Sequence, residues 1–511
     1  MSRWTDRAMA HPRLAGLIAR LNRSHVTRRF ASGAGWTMAG NVAWKALAAI
    51  ANILIGRILG PQGLGELGVV RSTASVFETI AGLRMGPTAT RFVAEHRIKD
   101  PPRAARILKL SLASSAAVCG VLAIVLAATA PLIAADVFND PRLTTLLALG
   151  AALVFFNAFG RVQEFAIAGF ERFRSIAAFN VGRGVASLAI VVPLAYVFGV
   201  LGALSGLLLV SGAVMIGYAV NLRRQKIQAG FPARIAWREL RGELPILWEF
   251  TLPSLISGVI LVGVMWGGRA MLANQDGGFA QVGVFEAANQ LRLAIMFLPQ
   301  MLAQVVVPIL AEAHGRGHTA DFTAAMRLQV QSVCLATLPI VLVLIGFAEP
   351  LAGLFGAAFA GLPPVIALLA IAAFTQANNM SIARTFDGIG RRWAHCGFFV
   401  VWGLVFVAAA IPLIPAMGAL GMAAAYAVAE ATMLVLQALY VDLVLMPGLL
   451  RGNAGVFAFS VMLLAAGYLA HQHLPAVAAM AISVALCAIG LWPIASKLRA
   501  GKPTDSVKGI Q

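Results

Sequence analysis

Seven ionisable residues sit deep inside long apolar stretches of this chain: Lys45, Arg71, Glu78, Arg84, Arg269, Glu286 and Arg292. Exposing one such group to hydrocarbon costs roughly 2.5–3.5 kcal/mol on insertion scales, so the set costs about 20 kcal/mol. A fold stable by about 5–15 kcal/mol does not carry that burden. The seven must therefore face one another or an aqueous cavity. Five are cationic and two anionic, so internal pairing leaves a surplus of +3. A cationic surplus in a low-dielectric cleft draws in an anion.

Polar neighbours share the faces that these charges mark. Asn41, Lys45 and Asn52 fall on one helical face at spacings of four and seven, and Arg71, Ser75 and Glu78 on another. Glu286, Gln290, Gln300 and Gln304 line up on a third, with Arg292 off to one side. Thr251, Ser254, Ser257 and Arg269 form a looser stripe. The ligand-binding candidates are Asn41, Lys45, Asn52, Arg71, Glu78, Arg84, Arg269, Glu286, Gln290 and Arg292. Few deep charges lie elsewhere: Arg161, Glu164, Arg183, Arg384 and Glu430.

The elements that position these residues are membrane spans. Of 511 residues, 59% are hydrophobic and 12% charged, and mean hydropathy is +0.82. No soluble chain of this length hides so much apolar surface, so the fold class is an all-α polytopic membrane protein. About fourteen spans are predicted, near 34–56, 65–92, 108–134, 143–170, 175–198, 201–221, 244–272, 279–310, 325–347, 363–386, 394–413, 417–441, 454–471 and 475–496. The turn Gly60-Pro61-Gln62-Gly63 joins the first two. The net charge of +19 does not indicate nucleic acid, because the basic residues occupy alternate loops rather than one patch. That alternation places both termini in the cytoplasm of a multi-pass inner-membrane protein.

The halves repeat. Gly169, Arg172, Pro193, Gly199 and Gly202 recur as Gly388, Arg391, Pro412, Gly418 and Gly421, each pair 219 residues apart. Gly56-Arg57 matches Gly268-Arg269, and Leu67-Gly68-Val69 matches Val282-Gly283-Val284. Each repeat holds six spans, so the two enter the membrane from the same side. The expected organisation is a basic N-terminal segment (1–30), an N-lobe (31–221), a basic linker (222–243), a C-lobe (244–442), two extra spans (443–496) and a disordered tail (497–511).

Gly56-Arg57-Ile58-Leu59-Gly60-Pro61 followed by Gly65 and Gly68 resembles the opening of oligosaccharide and polysaccharide flippases. These belong to the multidrug/oligosaccharidyl-lipid/polysaccharide exporter superfamily. Val282-Gly283-Val284-Phe285-Glu286-Ala287-Ala288 is similar to that family's Gly-x-Tyr-x-x-Ala run, with Phe285 where Tyr is usual. The resemblance implies a cleft between two six-helix lobes, lined by the first, second, seventh and eighth helices. It implies a flippase that moves a polyprenyl-pyrophosphate-linked oligosaccharide outward by alternating access, for cell-surface polysaccharide biosynthesis. Membrane lipids, a polysaccharide polymerase and glycosyltransferases are the other expected partners. On that reading Lys45 and nearby arginines hold the pyrophosphate.

Two other classes compete. A multidrug exporter of the same superfamily would place carboxylates in its cleft, and this cleft is net cationic. A membrane-embedded glycosyltransferase or polymerase would carry a long outer loop with paired acids, and the outer loops here are short. No enzyme, cofactor or metal chemistry is expected. The chain has no Gly-x-x-x-x-Gly-Lys-Ser/Thr loop, its four cysteines are far apart, and His314 and His318 flank glycines in a polar loop. Finally, Arg71 and Glu286 follow matching Gly-Val segments of the two repeats. Their match predicts an ion pair closing the outer mouth, against the alternative that Glu286 pairs within its own lobe.

Overall fold

A computed structural model describes residues 25–81, 85–232, 252–296, 299, 319–388 and 391–499. Among these the chain is all-α, and fourteen helices serve as spans. Helix His25–Ala81 breaks at Gly60 into α1 and α2. Then come α3 (Pro101–Leu132), α4 (Leu143–Gly169) and α5, which starts as Phe173–Ala186 and runs through a π-helical turn, Ser187–Val191. The next helix, Val192–Gln228, breaks at Gly199, so its first arm completes α5 and its second is α6. The second half supplies α7 (Leu252–Ala273), α8 (Gly278–Ile295), α9 (Thr319–Gly346), α10 (Leu362–Gly388), α11 (Arg392–Met417) and α12 (Ala419–Tyr440). Helices α13 (Leu449–His473) and α14 (Ala476–Arg499) follow. Nine of the described stretches are long and apolar enough to cross a membrane, and two of these, Met38–Ala81 and Phe173–Gln228, each hold two spans.

Several boundaries differ from the sequence expectation. The four-residue turn at Gly60 shrinks to Gly60 alone (φ 69°, ψ −179°), and Pro61 already begins α2. Proline suits a first helical turn because its missing N–H has no intrahelical partner there. Helix α6 continues to Gln228, past residue 221. Residues 233–243 of the expected linker, most of the N-terminal segment and most of the tail lie outside the described residues.

The repeated glycines have a common physical cause. Gly199 and Gly418 adopt the same left-handed conformation, φ 61° and 57°, where a side chain is strained. One turn later, a Cβ on Gly202 would fall 1.9 Å from the Leu194 carbonyl oxygen, and one on Gly421 would fall 1.9 Å from that of Leu413. Both lobes thus fold a span back on its predecessor through the same contact. A second reciprocal contact relates the lobes to each other. A Cβ on Gly65 would meet the Phe279 carbonyl at 1.8 Å, and one on Gly283 would meet the Pro61 carbonyl at 1.8 Å. Helices α2 and α8 cross there backbone to backbone, about a two-fold axis that pairs residues 218 apart.

Around this crossing the lobes share one apolar core that includes Ile55, Leu64, Phe138, Leu272, Phe285 and Phe355. Polar contacts reinforce it: Asn139 donates to Asn274 Oδ1 at 2.8 Å, and Asn274 donates to the Val137 carbonyl at 2.7 Å. One end of the molecule is therefore sealed. Helices α13 and α14 pack on α9, outside the repeat. The outer surface is apolar, with Val121, Ile124, Leu209, Leu404, Ile411 and Val461 all exposed, as a lipid-facing wall requires.

Candidate functional site

Two cavities lie beyond the sealed end. The central one, about 410 Å³, sits between the lobes and is lined by α2, α7 and α8 with Gln376 of α10 and Tyr426 of α12. Arg71 is about 16 Å along α2 from Gly60, and Glu286 about 13 Å along α8 from Gly277, at 1.5 Å per residue. The second cavity, about 350 Å³, lies inside the first lobe, walled by α1, α2, α4, α5 and α6. Arg71 and Ser75 line both, so the cavities adjoin along α2.

Four charges line the central cavity: Arg71, Arg269, Glu286 and Arg292. Arg269 Nε donates to Glu286 Oε1 at 2.6 Å, and Arg269 Nη1 donates to the Met265 carbonyl at 3.0 Å. Both partners are mostly buried, so this pair is neutralised within the second lobe. Arg292 is held only by neutral oxygens among the contacts found: Asn289 Oδ1 at 2.8 Å, the Tyr426 hydroxyl at 2.9 Å, and Gln376 Oε1. Its guanidinium also lies 4.9 Å from the Tyr426 ring centroid. Arg71 is exposed and donates to Asn52 Oδ1 at 3.4 Å, while Asn52 donates across the seam to Gln290 Oε1 at 3.2 Å. Two guanidinium groups with neutral partners thus face one cavity. Such a pair is suited to grip a doubly charged oxyanion in several orientations.

The cavity inside the first lobe is built differently. Glu78 accepts from Asn157 Nδ2 at 2.8 Å and lies 3.6 Å from Arg161 Nη2. Arg183 lies over the Trp44 ring at 5.5 Å, and Glu164, Ser187 and Ser211 complete the polar wall. Lining charges balance closely here, with Arg71, Arg161 and Arg183 against Glu78 and Glu164.

The ten candidates divide accordingly. Arg71, Arg269, Glu286, Gln290 and Arg292 come together in the central cavity, and Asn52, Arg71 and Glu78 line the cavity of the first lobe. Asn41 instead accepts from Asn180 Nδ2 at 3.0 Å, tying α1 to α5. Lys45 is half-buried beside Trp44 and is not among the residues lining these two cavities. Arg84, Gln300, Gln304 and Thr251 lie outside the described residues. Arg292, expected to turn away from Glu286, lines the same cavity. The expected Arg71–Glu286 gate is replaced by the Arg269–Glu286 pair. The two-fold crossing sets Glu286 against Gly68, where an added Cβ would meet Glu286 Cγ at 2.7 Å, and gives Asn289 as the counterpart of Arg71. Sequence reasoning set Arg161, Glu164 and Arg183 aside as deep charges lying elsewhere and passed over Asn157, because lining helices were sought only among the first, second, seventh and eighth; Trp44, on the first, was passed over because only polar and charged residues were considered.

A family model described as polysaccharide biosynthesis protein matches residues 30–314. The chain belongs to this family. The polysaccharide biosynthesis match agrees with the resemblance carried by the Gly56–Gly68 motif, within the multidrug/oligosaccharidyl-lipid/polysaccharide exporter superfamily. Among curated relatives, the EPS I polysaccharide export inner membrane protein EpsE of Ralstonia nicotianae is 25% identical over 339 residues, covering 64% of this chain and 76% of EpsE. The lipid III flippase of Escherichia coli is 26% identical over 299 residues, covering 56% of this chain and 70% of the flippase. Among solved structures, the lipid II flippase MurJ in an inward closed conformation superposes with a TM-score of 0.69 at 13% identity, covering 91% of this chain and 99% of MurJ. An inward-facing multidrug transporter of the MATE family gives 0.62 at 18% identity, covering 81% of this chain and 95% of its own. These two likenesses establish the shared fold.

Proposed function

We propose that this protein is a flippase carrying a polyprenyl-pyrophosphate-linked oligosaccharide from the inner to the outer leaflet during cell-surface polysaccharide biosynthesis. One observation carries the reading: Arg71 and Arg292 face the interlobe cavity with neutral hydrogen-bonding partners, whereas Arg269 and Glu286 neutralise each other. A pyrophosphate supplies anionic acceptors for both guanidinium groups, and the lipid tail stays in the bilayer beside the seam. The likeness to EpsE, a polysaccharide export protein, and to the lipid III flippase supports the same class of substrate. A transporter of organic cations needs the opposite imbalance, with carboxylates in excess.

The chain acts as a transporter rather than an enzyme, with polymerase and glycosyltransferases as its neighbours in the pathway. Its sealed end faces the outside and both termini face the cytoplasm, as the loop charges require. Outward movement of an anion then runs down an inside-negative potential, gaining about 2.3 kcal/mol per charge at 100 mV. Opening the outer end requires separating α2 from α8 at the Gly65–Gly283 crossing and breaking the Asn139–Asn274 contact. Cells depleted of the protein should accumulate lipid-linked glycan in the inner leaflet and lose surface polysaccharide, and Arg71→Gln should not restore it. Full surface polysaccharide in depleted cells would refute the reading.

A further inference from the structure

The two lobes are equivalent in topology but not in what fills them. In the second lobe, Trp402, Phe406 and Tyr426 are each about 1% exposed and pack together, with ring centroids 5.8 Å (Trp402–Phe406) and 6.0 Å (Trp402–Tyr426) apart. The 219-residue offset places Arg183, Ser187 and Leu207 at those positions in the first lobe. Arginine, serine and leucine there leave the 350 Å³ cavity where the aromatic plug would stand. Helix α5 is also π-helical over Ser187–Val191, whereas its counterpart in α11 is regular α-helix. π-Turns inside helices recur at functional sites, and both Ser187 and Val191 line this cavity.

We infer that the cavity inside the first lobe is a saccharide subsite, which takes the sugar next to the pyrophosphate while Arg71 and Arg292 hold the phosphates. This rests on the flippase reading above. The wall chemistry selects a polyol. Each sugar hydroxyl both donates and accepts, and the wall offers donors (Asn157, Arg161, Arg183) interleaved with acceptors (Glu78, Glu164, Ser211). Nearly balanced charge suits a neutral ligand, whereas a phosphate would be repelled by the two carboxylates and an organic cation by the three arginines. Trp44 supplies an apolar ring for the C–H face of a pyranose. The volume lies at the lower end of the ~300–1,000 Å³ class that encloses small ligands, room for a sugar ring and not for a long glycan. Arg71, common to both cavities, sits where phosphate and sugar join.

The test compares two probes on the full-length protein in nanodiscs: undecaprenyl pyrophosphate and the same lipid carrying glucose or N-acetylglucosamine. The wild type should bind a sugar-bearing lipid at least tenfold more tightly than the bare one. Ser187→Phe, which installs the second lobe's residue, should erase that preference so that the lipids bind alike. Trp44→Leu should reduce it at least threefold, and gives a second reading where Ser187→Phe does not fold. Arg292→Gln should weaken all the lipids by a similar factor and keep the preference. A wild type that binds bare and sugar-bearing lipids alike, or Ser187→Phe and Trp44→Leu proteins that fold yet keep the full preference, would overturn the subsite and leave the flippase reading standing. Failure of every lipid to bind the wild type would overturn the flippase reading and the subsite together.

Discussion

The second lobe is plugged and the first is hollow, although the same glycines fold both. At the turns joining α5 to α6 and α11 to α12, the left-handed glycine and the close carbonyl contact recur nearly unchanged, because backbone geometry permits little else. Between those turns the side chains diverge: an aromatic cluster with Glu430 in one lobe, and Arg183, Ser187, Leu207 and Ser211 in the other. Backbone equivalence sets the architecture, and side-chain volume decides which lobe has room for a ligand.

The largest effect should come from a charge that the lobes treat differently. Arg269 is 9% exposed and paired with Glu286, whereas Arg57, its match by sequence, is exposed. Arg269→Leu should destabilise the protein by about 3–5 kcal/mol, because it strands a buried carboxylate, and Glu286→Leu in the same chain should recover most of that. Arg57→Leu should stay within about 0.5 kcal/mol. Thermal unfolding in detergent reads all three. Equal losses at Arg57 and Arg269 would remove this contrast.

Next in size is the plug itself. Phe406→Ser should cost about 3–5 kcal/mol, since it empties a packed site and buries a hydroxyl. The reverse exchange, Ser187→Phe, should cost less than about 1 kcal/mol because the cavity already has the room. Equal losses from the two exchanges would mean that the first lobe is not hollow in solution.

The smallest difference should be at the shared glycines. Gly202→Ala and Gly421→Ala both drive a Cβ into a carbonyl oxygen, so each should destabilise by about 1–3 kcal/mol, and by similar amounts. A difference above about 1 kcal/mol between them would show that the two turns are not equivalent.

Much of this was legible in the residues. Gly199, Gly202, Gly418 and Gly421 carried the repeat because their backbone demands are local and tolerate no other side chain. Arg71, Glu286 and Arg292 were recognisable because a charge in an apolar span must be accommodated. Their partners were not recognisable. Glu286 was matched to Arg71 through the short motif Gly-Val, whose spacing of 215 residues differs from the 218 that the Gly65–Gly283 crossing imposes. Three residues of shift rotate a helix by nearly a full turn, enough to exchange one partner for another. Asn157, Arg161 and Glu164 share a helical face at spacings of four and three, but they lie on the fourth span, and a lining role was sought only on the first, second, seventh and eighth. The hollow of the first lobe depends on volumes meeting across α1, α4, α5 and α6, which no single stretch of sequence displays.

The central claim is that Arg71 and Arg292, whose hydrogen-bonding partners are neutral, carry a pyrophosphate-linked sugar across the bilayer. Reconstituting the protein in liposomes with a fluorescent undecaprenyl-pyrophosphoryl sugar tests it most directly, with leaflet exchange followed by an impermeant quencher. Wild-type protein should exchange the lipid between leaflets, and Arg71→Gln combined with Arg292→Gln should slow exchange at least tenfold with the fold intact. Exchange by the double variant at the wild-type rate, or wild-type transport of an organic cation with no movement of the lipid, would contradict the account.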